Sequence, residues 1–124
     1  MTRLAGLGTL LMMLLPECAA TAAPVEAFAG IAESLSRARQ LAVARRFDEA
    51  VALYDEVLRE APELWDASLG RAEALVWGGR YRAAALAYRE LLVRRPGSIE
   101  ALRGLARAAY WSGDFRRALT LFSQ

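Results

Sequence analysis

The chain repeats itself with a period of about 34 residues, and this period constrains its fold more than any other feature. Four sets of similar residues recur at this spacing, together with prolines and turn glycines. They are Phe47, Tyr81 and Phe115; Ala50, Ala84 and Ala118; Tyr54, Tyr88 and Phe122; Ala38, Ala72 and Ala106; Pro62 and Pro96; and Gly79 and Gly113. Such a period is typical of stacked supersecondary units, each too small to bury its own apolar face. Because such stacks serve mainly as binding surfaces, the repeat predicts recognition rather than catalysis.

The prolines divide the repeated region into three units, 31–64, 65–98 and 99–124. Each unit holds two stretches with apolar residues at helical spacing, which in unit two are Leu64–Trp77 and Arg82–Arg94. No stretch shows the alternation of a β-strand. The sequence therefore predicts an all-α fold, an antiparallel helix-pair solenoid of about 2.75 repeats whose third repeat is incomplete. Residues 23–30 are predicted to form a linker or an N-terminal extension.

Small and large residues alternate in register along the repeat, which indicates packing. The repeated alanines allow two helices to approach closely, and the repeated aromatic residues fill the space beside those contacts. Pro62 and Pro96 are predicted to follow the end of each second helix, because proline disfavours helix in the residue before it. Ser98 is a predicted N-cap. Arg45 stands where units two and three have a turn glycine, so unit one matches the repeat least closely.

Residues 1–22 have the pattern of a secretory signal peptide. Arg3 precedes an apolar run from Leu4 to Leu15, Pro16 ends the run, and small residues allow cleavage after Ala22. The pattern predicts export, to the periplasm of a Gram-negative bacterium; the alternative is a leader kept as a membrane anchor. Cleavage would remove Cys18 and leave a mature chain without a disulfide.

The composition excludes several kinds of chemistry. The chain has no histidine, so a Ser-His-Asp triad, a Cys-His pair and a histidine-ligated metal are excluded. The sequence shows no pair of carboxylates that would indicate acid–base catalysis. We therefore predict no catalytic residue, no cofactor and no metal site. The net charge of +2 is too small to indicate nucleic-acid binding. The sequence therefore predicts a protein that is not an enzyme.

The string from Ala74 to Pro96 resembles a tetratricopeptide repeat, and the resemblance extends over about residues 31–124. Small, aromatic and proline positions recur together in two full units and in most of a third. The match departs from the family early in the first helix, where the common large aromatic residue is replaced by Ser34, Ser68 and Leu102. The resemblance implies a concave groove lined by the first helices and a convex back formed by the second helices.

A narrower resemblance rests on the tryptophan that precedes a small-glycine turn in two units. Trp77-Gly78-Gly79 and Trp111-Ser112-Gly113 are similar to the periplasmic segment of YaiO-type outer-membrane proteins and to repeat regions of exopolysaccharide-export proteins. In those families the repeats precede a C-terminal β-barrel. The resemblance implies that this chain is an N-terminal segment or a truncated relative.

The groove implied by the resemblance has candidate binding residues in all three units. They are Leu35, Arg39 and Val43; Asp66, Leu69, Glu73, Val76 and Trp77; and Glu100, Arg103, Arg107, Tyr110 and Trp111. Adjacent units are expected to bring the two tryptophans near each other, where they could hold an extended peptide or stack against sugar rings. The structural alternative is that each tryptophan fills the space above its turn.

The arginines of the predicted groove have two interpretations. They could bind a carboxylate of a partner, but Leu35 and Leu69 occupy two positions that a chaperone-type carboxylate clamp needs. A solvated face balanced by Glu73 and Glu100 is therefore favoured.

The sequence ends inside an amphipathic helix at Leu121–Gln124, which predicts an exposed apolar face. Ala109, Leu119 and Phe122 are expected to contribute to it, and a further helix or a second copy of the chain would cover it.

The leading prediction is an exported, non-catalytic scaffold that binds a peptide or protein in a concave helical groove. Polysaccharide is the alternative ligand, and no nucleic acid is expected. One alternative is the N-terminal periplasmic segment of an outer-membrane or polysaccharide-export protein. Another, from a different functional class, is the repeat region of a truncated envelope enzyme.

Overall fold

The computed structural model of the chain describes residues 23–114, 116, 119, 120 and 123. The predicted signal peptide at 1–22 lies outside the described residues, as do the three repeat positions Phe115, Ala118 and Phe122.

Five helices follow one another: α1 (Ala23–Val43), α2 (Phe47–Glu60), α3 (Trp65–Trp77), α4 (Tyr81–Arg94) and α5 (Ile99–Trp111). The described part of the chain contains no strand, so the prediction of an all-α fold is confirmed. Residues 23–30, predicted to be a linker or extension, are helical and belong to α1. Two predicted starts are off by one residue, since α3 begins at Trp65 and α4 at Tyr81. None of the described helices is long and apolar enough to span a membrane.

The chain forms two compact units, Met1–Ala32 and Glu33–Gln124. Within the first, the described residues 23–32 form the N-terminal part of α1, where Val25 and Phe28 are exposed. Within the second, α3 packs against α2, α4 and α5. From α2 to α5, consecutive helices thus pack side by side as the helix-pair solenoid predicts.

Equivalent turns end the first helix of each unit. Gly79 and Gly113 adopt φ angles of 82° and 87°, and Arg45 occupies the same left-handed region at 61°. The Arg45 amide donates to the Ala42 carbonyl at 3.0 Å, as the Gly79 amide does to the Val76 carbonyl. The turn therefore has the same form in all three units, although a residue with a Cβ costs about 1–2 kcal/mol in this conformation.

The other helix ends confirm the roles predicted for proline and serine. Helices α2 and α4 end two residues before Pro62 and Pro96. The Ser98 hydroxyl accepts a hydrogen bond from the Ala101 amide at 3.3 Å, which makes Ser98 the N-cap of α5.

The main core cluster lies between α3, α4 and α5, that is, between the two helices of unit two and the first helix of unit three. Its large side chains include Leu75, Tyr88, Leu91 and Leu105, and the repeated alanines Ala72 and Ala84 belong to the same cluster. The other described members of the repeated alanine sets are also buried: Ala38, Ala50 and Ala106. Tyr54 of α2 lies against Gly70 of α3, where a Cβ would come within 2.6 Å of the Tyr54 ring. Tyr88 of α4 lies against Gly104 of α5 in the same way. The pattern search missed these glycines, although they too occupy equivalent positions of the repeat.

The predicted apolar face at the end of the chain is only partly as expected. Leu119 is 72% exposed, but Ala109 is buried because its side of α5 faces α4. The inclusion of Ala109 was therefore wrong. Phe122 lies outside the described residues.

Candidate binding surface

The first helices α1, α3 and α5 carry the predicted groove residues, and most of these reach solvent. Exposed members are Arg39, Val43, Asp66, Glu73, Trp77, Glu100, Arg103, Tyr110 and Trp111, while Leu35, Leu69 and Arg107 are partly buried. Val76 is buried in the core cluster, so its assignment to the groove was wrong. The reason is that α3 packs against α2, α4 and α5, which leaves little of its circumference for the groove.

An ion pair joins the groove sides of units one and two. The Arg39 guanidinium donates to the Asp66 carboxylate, with a nitrogen–oxygen distance of 3.1 Å. Arg39 is therefore compensated by Asp66, whereas the sequence suggested Glu73 and Glu100 as the balancing acids. Because both side chains are more than half exposed, the pair contributes only about 0.2–1 kcal/mol. Its main effect is to hold two groove charges in defined positions.

A second contact joins the groove sides of units two and three. The Arg107 guanidinium carbon lies 5.1 Å from the centre of the Trp77 ring, in a cation–π contact between α5 and α3. Arg107 also interacts electrostatically with Glu73 of α3. Burial raises the pKa of the Glu73 carboxyl above its ordinary value, and the positive charge of Arg107 partly offsets this. Glu73 thus stands at a partly dehydrated position although its residue surface remains exposed.

Two buried tyrosines experience the groove charges. Burial raises the pKa of the Tyr54 hydroxyl; Arg39 lowers it and Glu73 raises it further. Burial also raises the pKa of the Tyr88 hydroxyl, with Glu73 raising and Arg107 lowering it. Arg39, Glu73 and Arg107 occupy the same repeat position, so the groove presents charges of alternating sign next to a core of neutral phenols.

The two predicted aromatic anchors lie at the last residue of their helices. Trp77 is 60% exposed and Trp111 is 57% exposed, so neither is buried as filling the space above its turn would require. The rings of Tyr110 and Trp111 meet edge to face at 5.4 Å between centres. Trp111 also borders a recess with Tyr81 and Arg82 beside the turn of unit two. Both indole rings are therefore supported by a neighbour and remain accessible.

A third tryptophan, which sequence reasoning did not single out, holds the turn between α4 and α5. The guanidinium carbons of Arg95 and Arg94 lie 4.1 Å and 5.6 Å from the centre of the Trp65 ring. Arg94 also donates to the Glu63 carbonyl at 2.8 Å. The sequence signal that could have identified Trp65 is its position just after the turn at Pro62. Its contacts are within the fold, and we assign it to structure.

The described residues show no arrangement suited to metal binding, since they include no group of three or more carboxylate, cysteine or histidine side chains placed to hold an ion. What the surface offers chemically is alternating charge and exposed aromatic rings.

Comparison with protein-family models gives two matches, each described as a tetratricopeptide repeat. One covers residues 35–99 and the other residues 78–124. Comparison with curated proteins and with solved structures gave no significant match. The first model alone covers more than half of the chain, and both span the helix pairs described above. Tetratricopeptide repeats are in general protein-interaction modules, which agrees with exposed groove residues on every first helix. The chain belongs to the tetratricopeptide repeat family.

Proposed function

We propose that this protein is an exported, non-catalytic scaffold that binds an extended peptide or protein segment in the groove formed by α1, α3 and α5. The observation that supports this most is the row of alternating charges Arg39, Glu73 and Arg107, one on each of these helices. Contacts between neighbouring helices hold this row: Arg39 pairs with Asp66, and Arg107 stacks on Trp77. A pre-formed site loses less conformational entropy on binding, which favours affinity.

The spacing of the row suits an extended polypeptide. Packed helices lie about 8–10 Å apart, and an extended chain advances about 3.3 Å per residue. The distance from one groove helix to the next therefore corresponds to about three residues of a bound peptide. Acidic side chains of the partner would lie near Arg39 and Arg107, and a basic side chain between them would lie near Glu73.

Export is the part of the proposal that rests on the sequence of residues 1–22. The apolar run after Arg3, ended by Pro16, supports secretion to the periplasm with cleavage after Ala22. N-terminal sequencing of the protein isolated from the periplasm tests this. A sequence starting at Ala23 is expected, and a protein that retains Met1 and stays with the membrane would indicate an anchor instead.

A second candidate function is that of the periplasmic segment of an outer-membrane or polysaccharide-export protein. The tryptophan-glycine turns at Trp77 and Trp111 favour it, because the resemblance to such proteins rests on them. Reading the genomic DNA after the Gln124 codon tests this candidate. A reading frame that continues into alternating apolar strands would support it, and a stop codon would contradict it.

The groove is tested by selecting peptides from a displayed library of random dodecapeptides and measuring their affinity by calorimetry. Replacing the groove pair (Glu73→Gln with Arg107→Gln) is expected to weaken binding of the selected peptides at least about tenfold, the cost of a few lost charge contacts. The matched control neutralises Glu56 and Arg59, an exposed pair on α2 whose charged atoms are 4.0 Å apart. That variant should bind as the unchanged protein does. Failure to select any peptide, or equal losses in both variants, would contradict the proposal.

A further inference from the structure

One edge of the helix stack carries an exposed apolar residue from every unit. At this edge each first helix ends and, in units one and two, the second helix begins. We define it as the helix-end edge, the described residues 43–49, 77–83, 111–114 and 116. Val43, Trp77 and Trp111 occupy the same repeat position and end α1, α3 and α5. Their exposed fractions are 85%, 60% and 57%. The repeat therefore places three large apolar side chains in a row at one edge of the stack.

The charge of the helix-end edge is positive and that of the opposite turns is negative. The described residues of the helix-end edge include five arginines and three acidic residues. The two turns that join a second helix to the next first helix, residues 60–66 and 94–100, have two arginines and four acidic residues. Taken together, the two kinds of helix end thus differ in net charge, although the turn at 94–100 by itself has one more arginine than acidic residues.

Ion pairs within the helix-end edge neutralise only some of its arginines. Arg46 pairs with Glu49 at 2.6 Å, and Arg80 pairs with Asp48 at 3.0 Å. Arg45 and Arg82 are exposed and have no salt bridge within the part of the chain that the structure describes. These two guanidinium groups can therefore attract an anionic partner without first giving up a carboxylate.

The tryptophans of this edge are held in place while they protrude. Arg107 supports one face of Trp77, and Tyr110 meets Trp111 edge to face. Tryptophan prefers the interface between water and lipid, where its apolar ring is buried and its N–H stays hydrated. Arginines near an anionic membrane each add about 1 kcal/mol of attraction. A row of protruding apolar groups flanked by cations suits a flat anionic surface better than an enclosed peptide.

We propose that the helix-end edge docks peripherally on an anionic lipid bilayer, with Trp77 and Trp111 entering the interface and Arg45 and Arg82 meeting the phosphates. This inference goes beyond peptide binding in the groove. The two tryptophans belong to both surfaces, but the edge arginines are not groove residues, which allows separate tests.

The test measures binding of the full chain to vesicles of phosphatidylcholine with or without an equal part of phosphatidylglycerol. Three variants keep one tryptophan each, with the other two changed to phenylalanine. We expect a blue shift of emission, and quenching by brominated lipid, for Trp77 and for Trp111 on anionic vesicles. Trp65, stacked against Arg94 and Arg95 at the opposite turn, should show neither. Residues 1–22 contain no tryptophan and are the same in every variant, so differences between the three variants report which tryptophan meets the lipid.

Arginine variants provide the second measurement. Arg45→Gln and Arg82→Gln should each weaken binding to anionic vesicles about fivefold, which corresponds to the attraction of one arginine. Arg37→Gln and Arg59→Gln remove exposed arginines outside the edge and should have no such effect. The proposal is overturned if Trp77 and Trp111 show no blue shift, if neutral vesicles bind equally well, or if the control variants lose as much affinity. If peptides still bind in the groove, the proposed function stands without this inference.

Discussion

The two faces of the first helices differ in how closely they repeat. On the face toward the neighbouring second helix, Gly70 and Gly104 receive the rings of Tyr54 and Tyr88, and the residue two positions later is alanine in both units. On the groove face, Leu69 is replaced by Arg103, and Glu73 by Arg107, one repeat later. A buried position must match its neighbour in volume, whereas an exposed position is free to change with the partner. At these positions the repeat is strict where helices pack and variable on the groove face, although the groove tryptophans Trp77 and Trp111 also recur.

The largest expected effect comes from filling the glycine beneath Tyr88. A Cβ at residue 104 would overlap the Tyr88 ring, and that ring is fully buried and cannot move aside. Gly104→Ala should lower the free energy of unfolding by about 1–3 kcal/mol, as overpacking does, despite the better helix propensity of alanine. Urea denaturation measures this.

The matched control is Gly30→Ala in α1, where a Cβ meets nothing within 4 Å. It should be neutral or stabilising by up to about 1 kcal/mol. A Gly104→Ala variant as stable as the control would mean that the inner face is not close-packed.

The second prediction concerns the tyrosines that occupy these equivalent positions. Burial raises the pKa of both Tyr54 and Tyr88 above the ordinary value of 10.0. The folded protein therefore keeps their protons more tightly than the unfolded chain, and stability must fall as the pH rises above that value. The loss is at most about 1.4 kcal/mol per pH unit for each tyrosine. The chain has no lysine, so no lysine side chain titrates together with the tyrosines in this pH range.

Thermal melts between pH 9 and pH 11.5, with phenolate absorbance as a second signal, measure this loss of stability. Tyr88→Phe and Tyr54→Phe should each make the fall less steep, whereas Tyr110→Phe changes a tyrosine that is 49% exposed and serves as the control. An unchanged slope in both core variants would show that burial of the two hydroxyls does not govern stability in this range.

A smaller effect on stability is expected at the turn of unit one, where arginine replaces the glycine of the other two units. Arg45 has a φ of 61° at the position that Gly79 and Gly113 occupy. Arg45→Gly should raise the free energy of unfolding by about 0.5–1 kcal/mol, because relief of the left-handed conformation outweighs the added freedom of the unfolded chain. Arg82→Gly makes the same change inside α4 and should be destabilising by about 1 kcal/mol. Calorimetric melting of both variants decides whether the backbone conformation or the loss of an arginine is responsible.

The smallest effect is expected on the groove face. Arg103 directly precedes Gly104 but is exposed, so Arg103→Gln should change the free energy of unfolding by no more than about 0.5 kcal/mol. Arg103 and Gly104 are neighbours in α5, so comparing Arg103→Gln with Gly104→Ala compares the groove face with the packed face at one level of the helix. A large loss of stability in Arg103→Gln would erase the distinction between packing and groove positions.

Particular residues show how far sequence reasoning reached. The helix ends before Pro62 and Pro96 and the cap at Ser98 followed from local chemistry, and the structure confirmed them. The placement of Val76 and Ala109 was wrong, since each depends on which neighbouring helix covers it. The glycines beneath the tyrosines were missed because glycine carries no apolar signal. Their role appears only when the second helix of the preceding unit is in place.

The sequence by itself determined the period, the helical class and the turn positions, because these depend on residues close together in the chain. The tertiary structure decided which side chains remain accessible and which charges meet. Arg39 of α1 reaches Asp66 of α3 across 27 residues, and Arg107 of α5 reaches Trp77 of α3. Such contacts depend on the relative orientation of packed helices, which the spacing of residues along one helix does not specify.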